Sequence, residues 1–258
     1  VTQPEPPLKR EQEAAAPQPA DEEALRRLSA AVAWRYPGEA LSGVPAKVTA
    51  SDLAERETGR EYWASSRPAF LGEGGLTPAE RGVALHQFLQ FARWEEARAA
   101  PEQELARLEA GRFLTPQQAA AVDLGRVKRF FSSPLAARIF ASPRLLREYR
   151  FTARLPARAV KPGLSREEGE RQVVLQGVVD CAFQEGDALV VLDFKTDRLP
   201  SLEALLARYR TQLLLYRDAL AQCTGLPVKE CVLYSFHLGQ SVSFLGEEGA
   251  PEKERANS

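Results

Sequence analysis

Two acidic residues and a lysine interrupt a stretch that is otherwise built for burial. Asp180, Asp193 and Lys195 fall inside Gln172–Asp197, Q-V-V-L-Q-G-V-V-D-C-A-F-Q-E-G-D-A-L-V-V-L-D-F-K-T-D. Val173 to Phe183 and Ala188 to Phe194 read as strands, and Gln184-Glu185-Gly186-Asp187 as the turn between them. Runs this continuously apolar suit strands buried on both faces. A carboxylate there loses hydration and needs a cation or several donors. Alternation puts Asp193 and Lys195 on one face of their strand, and the hairpin can bring Asp180 beside them. A single aspartate in such a place more often reaches solvent at a strand end or pairs with a lysine. Two carboxylates on adjacent strands repel unless a positive charge lies between them, and hard oxygen donors suit Mg²⁺ or Mn²⁺. The expectation is a metal site with a lysine at its rim.

Two further pairs lie on expected helices. Thr77-Pro78-Ala79-Glu80 has the form of a capping box with proline at the first helical position. The helix it opens is expected to reach about Arg98, with Ala84, Leu85, Phe88, Leu89, Phe91 and Ala92 as its core stripe. His86 lies at the edge of that stripe, one turn after Gly82. Taken alone it reads as a boundary histidine, although a glycine there leaves room for a substrate backbone or an ion. Gln212 and Tyr216 share a face of a second helix, expected from Pro200-Ser201 to about Gln222. Their polar tips could order a water or hold a strand at the metal; a surface glutamine beside a core tyrosine is the alternative.

In order and spacing, Gly82-x-x-x-His86, Gly177-x-x-Asp180, Asp193-x-Lys195 within D-F-K-T-D, and Gln212-x-x-x-Tyr216 resemble the PD-(D/E)xK nuclease superfamily. Within it they resemble the RecB-type branch and the nuclease domain of AddA-type helicase–nuclease subunits. The resemblance implies an α/β fold, a PD-(D/E)xK restriction-endonuclease-like core with a mixed β-sheet flanked by helices, over residues 76–245. It implies Asp180, Asp193, Lys195, Gln212 and Tyr216 as the catalytic set. Mg²⁺ (or Mn²⁺) would be held by His86, Asp180, Asp193 and the backbone carbonyl of Phe194. Glu148, just before the first core strand, resembles a further acidic member of the site.

The implied activity is hydrolysis of phosphodiester bonds in single-stranded DNA. The implied setting is an AddAB (RecBCD-like) helicase–nuclease that processes double-strand breaks for homologous recombination, acting on the 3′-ended strand until Chi. The implied partners are helicase domains of the same parent chain and an AddB-like second subunit. The alternatives are a catalytically inactive nuclease-fold module that binds or channels DNA, and a stand-alone structure-selective endonuclease. Decay of the first kind is expected to erase acidic or lysine positions, and all are present here.

The chain has 258 residues and a net charge of −1, so no global basic field announces nucleic acid. Arg126, Lys128 and Arg129 lie in a stretch, Leu105 to Pro143, expected to form two or three helices broken at Thr115-Pro116 and Ser133-Pro134. They are a candidate DNA-backbone path, with a solvated face as the equal alternative. Cys181, Cys223 and Cys231 show no CxxC pattern and cannot supply a four-thiolate iron–sulfur cluster; they read as reduced core residues of a bacterial cytoplasmic protein. No apolar run nears the ~20 residues that cross a bilayer, and neither a secretory signal nor a nucleotide phosphate loop is seen.

The chain starts at Val1 and contains no methionine, which suggests a piece excised from a larger polypeptide. Residues 1–20 read as a disordered linker. Residues 21–75 read as a helical lead-in: Asp21 caps a helix carrying Leu25, Leu28 and Val32, Val48 to Leu53 is a short Ser-capped helix, and Arg67 to Gly75 is a connector. Glu148-Tyr149-Arg150-Phe151 begins a strand, Lys161 to Arg171 is a polar loop, and Val228–Phe236 and Gln240–Leu245 close the sheet. His237 reads as a surface residue near a turn, and residues 246–258 as a charged tail.

Overall fold

The computed structural model describes residues 21–34, 36, 38–58 and 76–244. The expectations for residues 1–20, the 67–75 connector and the 246–258 tail lie outside these. The chain divides into two compact units, residues 1–43 and 44–258. In the first, α1 (Glu22–Ala33) is capped by Asp21, whose Oδ1 accepts the Glu23 N–H at 3.0 Å. A 3₁₀ turn follows at Glu39–Leu41.

The second unit is built on a mixed six-stranded sheet. Its central strand, β3 (Gln172–Glu185), pairs antiparallel along its length with β2 (Leu145–Pro156). The other edge of β3 is shared. β1 (Lys47–Thr49) runs parallel to it at Val174–Gln176, and β4 (Ala188–Lys195) antiparallel to it at Cys181–Glu185. Between those ladders the edge from Gly177 to Asp180 has no strand partner among the described residues, because β4 leaves β3 beyond Leu192. β5 (Val228–Ser235) continues the sheet parallel to β4, and β6 (Gln240–Phe244) closes it antiparallel. The expected hairpin is present. β4 is buried along nearly its whole length, but β3 alternates between exposed and buried over its first half, contrary to a strand covered on both faces. β1 belongs to this sheet, although the sequence reading placed it in the lead-in.

Helices cover both faces. On one lie α3 (Pro78–Phe91), α4 (Trp94–Ala99), α5 (Pro101–Ala110), α6 (Pro116–Ala121), α7 (Leu124–Phe131) and α8 (Pro134–Phe140). Phe130 centres their core, its ring 5.2 Å from Phe194 and 4.9 Å from Tyr234. On the other face α10 (Leu202–Thr224) buries Leu205 and Leu213 against Cys231 and Leu233 of β5, whereas Cys223 in its last turn, expected in the core, is exposed. It is capped by Ser201 and ended by Gly225 in the left-handed conformation (φ +71°). α2 (Ala50–Thr58) packs against α10, its first turn capped by Thr49, whose Oγ1 accepts the Asp52 N–H at 3.1 Å, rather than by Ser51. α9 is a single turn (Arg166–Gly169) inside the expected loop.

Two helix boundaries differ from the sequence reading. The first long helix stops at Phe91 instead of Arg98. Its last carbonyls are taken from outside: Trp94 Nε1 donates to Leu89 O at 2.8 Å, and Arg147 Nη1 to Ala92 O at 2.7 Å. Glu104 Oε1 meanwhile accepts the Arg93 N–H at 2.6 Å. The following stretch holds α5 to α8 instead of two or three helices, because Asp123 caps a helix of its own by accepting the Arg126 N–H at 3.1 Å.

At the end of the sheet away from Lys195, Arg138 of α8 bonds Glu185 of β3 through Nε (2.8 Å) and Nη2 (2.9 Å), and Glu230 of β5 through Nη2 (2.5 Å). Hydrogen bonds from Arg138 hold the Glu185 carboxyl down at about 2. A carboxyl depressed in the fold stabilises it above the unfolded value near 4.5 and loses that contribution as pH falls toward 2. Arg138→Gln is therefore expected to cost about 1–2 kcal/mol at pH 7, allowing for solvent screening. Its deficit against wild type should shrink between pH 5 and pH 2, as urea titrations at several pH values would show. A constant deficit across that range would remove the network from the acid limb.

Candidate active site

The fork between β3 and β4 places the acidic residues. Asp180 is the residue of β3 just beyond the last ladder pair, Cys181–Leu192, and its Oδ2 accepts the Phe194 N–H at 2.8 Å. Side chain thus replaces backbone where the strands part. In a strand a residue's N–H and C=O point to the same edge, and the Lys195 carbonyl accepts from the Phe236 N–H on the β5 side at 2.9 Å. The Phe194 carbonyl consequently faces the fork. Its ring is locked in the aromatic core, which fixes the backbone between Asp193 and Lys195.

His86 reaches the fork from α3, Nδ1 at 3.6 Å from Asp180 Oδ1. Burial works against its imidazolium, but Asp180 and Asp193 hold its pKa above the ordinary histidine value. Burial likewise works against the Asp180 carboxylate, and His86, Lys195 and the Phe194 N–H hold that carboxyl below its ordinary value. Glu148 arrives from β2. One ligand atom each of His86, Glu148 and Asp180 lies within 4.8 Å of the others. Burial first, then the Asp180 charge, raises the Glu148 pKa.

Glu148 is bent into this position. Its φ of +47° is left-handed, in the middle of a strand. Exposed residues on β2 are odd-numbered before it (Leu145, Arg147) and even-numbered after it (Arg150, Thr152, Arg154), so the kink resets the strand's alternation. Such a conformation costs a non-glycine residue ~1–2 kcal/mol and persists where its surroundings over-determine it. Glu148→Gly should accordingly raise stability by roughly 1 kcal/mol while lowering any metal-dependent cleavage at least ~10-fold. Urea midpoints and cleavage rates measured side by side check this. A destabilised variant would mean that Glu148 braces the sheet instead.

Behind this cluster lies a braced lysine. Lys195 Nζ is 2.6 Å from Asp193 Oδ2, a buried ion pair. Burial pushes the Asp193 carboxyl up to about 6, against the pull of Lys195. Nζ also donates to Gln212 Oε1 at 3.3 Å, and Gln212 Nε2 to the Tyr216 hydroxyl at 2.7 Å. The polar tips of the expected glutamine–tyrosine pair thus meet each other and Lys195.

The two motif glycines are packing positions. A Cβ on Gly82 would lie 2.7 Å from Thr196 Oγ1, so the space expected for an ion or substrate is filled by the threonine of D-F-K-T-D. A Cβ on Gly177 would lie 2.5 Å from the Phe151 ring, which stacks edge-on against Tyr216.

His86, Asp180, Asp193, Lys195, Gln212 and Tyr216 line one cleft of about 1160 Å³. Arg81, Arg126, Arg198 and Arg208 from four different segments also line it, Arg126 beside Asp123 at 3.0 Å and Arg208 beside Asp197 at 3.8 Å. Of the three cations singled out in the sequence, only Arg126 lines the cleft. Lys128 pairs with Glu102 at 2.5 Å, and Arg129 lies across Gly239 in the β5–β6 turn. Arg81, Arg198 and Arg208 had no distinguishing spacing in the sequence. His237, expected at the surface, is half-buried with its Nδ1 covered and unbonded among the described residues.

Carboxylates and a lysine at the fork of a mixed sheet, covered by helices on both faces, form the framework of a PD-(D/E)xK nuclease. The sequence agrees: a profile described as "PD-(D/E)XK nuclease superfamily" matches residues 48–256, and the chain belongs to that superfamily. More narrowly, it is similar to AddA-type ATP-dependent helicase/nuclease proteins of several bacteria. It is 37% identical to that of Desulforamulus reducens over 85% of this chain and 18% of the relative, and 38% identical to that of Acetivibrio thermocellus over 86% and 18%. Identity to the Geobacillus kaustophilus protein is 35%, over 80% and 18%. The chain spans less than a fifth of the length of these relatives. No described helix is long and apolar enough to cross a membrane.

Proposed function

We infer that this chain is the DNA-cleaving domain of an AddA-type helicase–nuclease. It hydrolyses phosphodiester bonds of single-stranded DNA as an Mg²⁺-dependent exodeoxyribonuclease, Mn²⁺ serving as well. The observation that carries the reading is the convergence of His86, Glu148 and Asp180 at the β3–β4 fork beside the Asp193–Lys195 pair. A mixed nitrogen and oxygen donor set and a strained glutamate fit a hard divalent cation. His86, Asp180, Asp193 and the Phe194 carbonyl would hold it, with Glu148 as a further acidic ligand. When bound, the cation supplies charge to polarise the scissile phosphate and to lower the pKa of a coordinated water.

The chain's own residues do the rest. Lys195 orients the attacking water and offsets charge on the phosphoryl oxygens. Gln212 and Tyr216 hold the lysine in place. The water oxygen bonds to phosphorus as the ester bond to the leaving oxygen breaks; that oxygen takes up a proton, and the water's proton passes to solvent. The rim arginines grip the flanking phosphates. In the parent enzyme, helicase domains of the same polypeptide and an AddB-like partner deliver the 3′-ended strand, until Chi, during recombinational repair in the bacterial cytoplasm.

The test is cleavage of an end-labelled single-stranded oligonucleotide. Mg²⁺ or Mn²⁺ should support it, EDTA should stop it, and a catalytically silent Ca²⁺ complex should bind DNA. With four rim arginines engaged, the slope of log affinity against log salt should be about −3. Cleavage indifferent to EDTA, or absent with every divalent ion, would overturn the reading.

A further inference from the structure

We propose that Tyr209 is a positioning residue for the reaction, its ring forming the seat of the Lys195 ammonium and Asp197 fixing that ring in place. The inference rests on the nuclease reading above and concerns residues that reading leaves without a role. Lys195 is the only strand residue of the site whose functional group ends a flexible four-carbon stem. Such a stem must be walled in if its charge is to be aimed. Two sides of the ammonium are occupied, by Asp193 Oδ2 at 2.6 Å and Gln212 Oε1 at 3.3 Å. The third faces the Tyr209 ring, with Nζ 4.1 Å from its centroid, within cation–π range.

The ring is held from its far end. Tyr209 Oη donates to Asp197 Oδ2 at 2.7 Å, and Asp197 lies two residues beyond Lys195 on the segment leaving β4. The last residue of D-F-K-T-D therefore grips the aromatic wall against which the lysine of the same motif rests. A phenol donating to a carboxylate also gains electron density in its ring, which strengthens the attraction for a cation on its face. Arg208 adds to the latch, with Nη1 3.8 Å from Asp197 Oδ1 and its guanidinium 5.2 Å from the same ring. Tyr209, Gln212 and Tyr216 stand three and then four apart on α10, so one helix face carries the aromatic and amide support of the lysine, opposite its Asp193 partner on β4.

The test measures single-turnover cleavage of a single-stranded oligonucleotide in Mg²⁺, and DNA affinity in Ca²⁺, for the full 258-residue chain. Tyr209→Leu should lower the rate constant about tenfold with DNA affinity within about twofold of wild type. Tyr209→Phe keeps the ring and should lose about two- to threefold, and Asp197→Asn should match it. Combined, Tyr209→Phe and Asp197→Asn should cost no more than either alone. Lys195→Ala supplies the decisive background: adding Tyr209→Leu to it should change nothing further. A tenfold loss from Tyr209→Leu that persists without Lys195, or a loss confined to DNA affinity, would overturn the proposal. So would a Tyr209→Leu rate equal to wild type. If Tyr209→Leu does not fold, the Tyr209→Phe and Asp197→Asn pair decides, and additive losses would overturn it. A wild-type chain inactive with every divalent ion would instead fail the nuclease reading itself.

Discussion

Asp180→Asn should abolish cleavage, by more than ~10²–10³-fold, in a protein that folds as well as wild type. The asymmetry follows from the contacts Asp180 makes in the fold. Its Oδ2 accepts one backbone N–H, that of Phe194, and an asparagine carbonyl can keep that bond. What is lost is a charge beside His86, and the same charge raises the pKa values of Glu148 and Asp193. Losing the attraction and the repulsions together leaves stability within about 1 kcal/mol of wild type. The readouts are cleavage rate, Mn²⁺ binding by calorimetry and the urea midpoint. Cleavage at the wild-type rate in Mg²⁺ would remove Asp180 from the site. Lost activity accompanied by an unfolded protein would make Asp180 a strand cap and no more.

How much of this was legible in the sequence depended on whether the signal was local. The hairpin, the capping box at Thr77 and the helix start at Pro200-Ser201 are written in a few adjacent residues, and each is where expected. The end of α3 is not local. No glycine or proline marks Ala92-Arg93; the helix stops because Arg147, Trp94 and Glu104 satisfy its terminal groups from other elements.

The candidate site divides the same way. Asp193 and Lys195 are two apart on one strand, and alternation alone predicts that they meet. Glu148 enters only because β2 kinks through a left-handed residue, and nothing in Glu-Tyr-Arg-Phe announces that. The role of Gly82 was misassigned because a missing side chain shows only that something is close. The structure places Thr196 there. Tyr209 could have been found: it continues the Gln212–Tyr216 face by one turn, but an aromatic at helical spacing reads first as core.

Lys195→Ala should separate chemistry from binding and from folding at once. Removing one charge-stabilising donor costs ~10²–10³ in rate. The flanking phosphates remain gripped by Arg81, Arg126, Arg198 and Arg208, so DNA affinity in Ca²⁺ should stay close to wild type. Folding should suffer as well. Asp193 is 2% exposed, and Lys195 is its one cationic contact among the described residues. Breaking a buried pair by deleting one partner costs about 3 kcal/mol, unless the stranded carboxyl takes up a proton. Mg²⁺ should therefore raise the thermal midpoint of Lys195→Ala more than that of wild type, since a cation at the fork replaces the missing counter-charge for Asp193. Cleavage by Lys195→Ala should remain slow even when Mg²⁺ has restored the fold. Binding lost in parallel with cleavage would turn Lys195 into a phosphate anchor. Equal Mg²⁺ stabilisation of the two proteins would separate Asp193 from the metal.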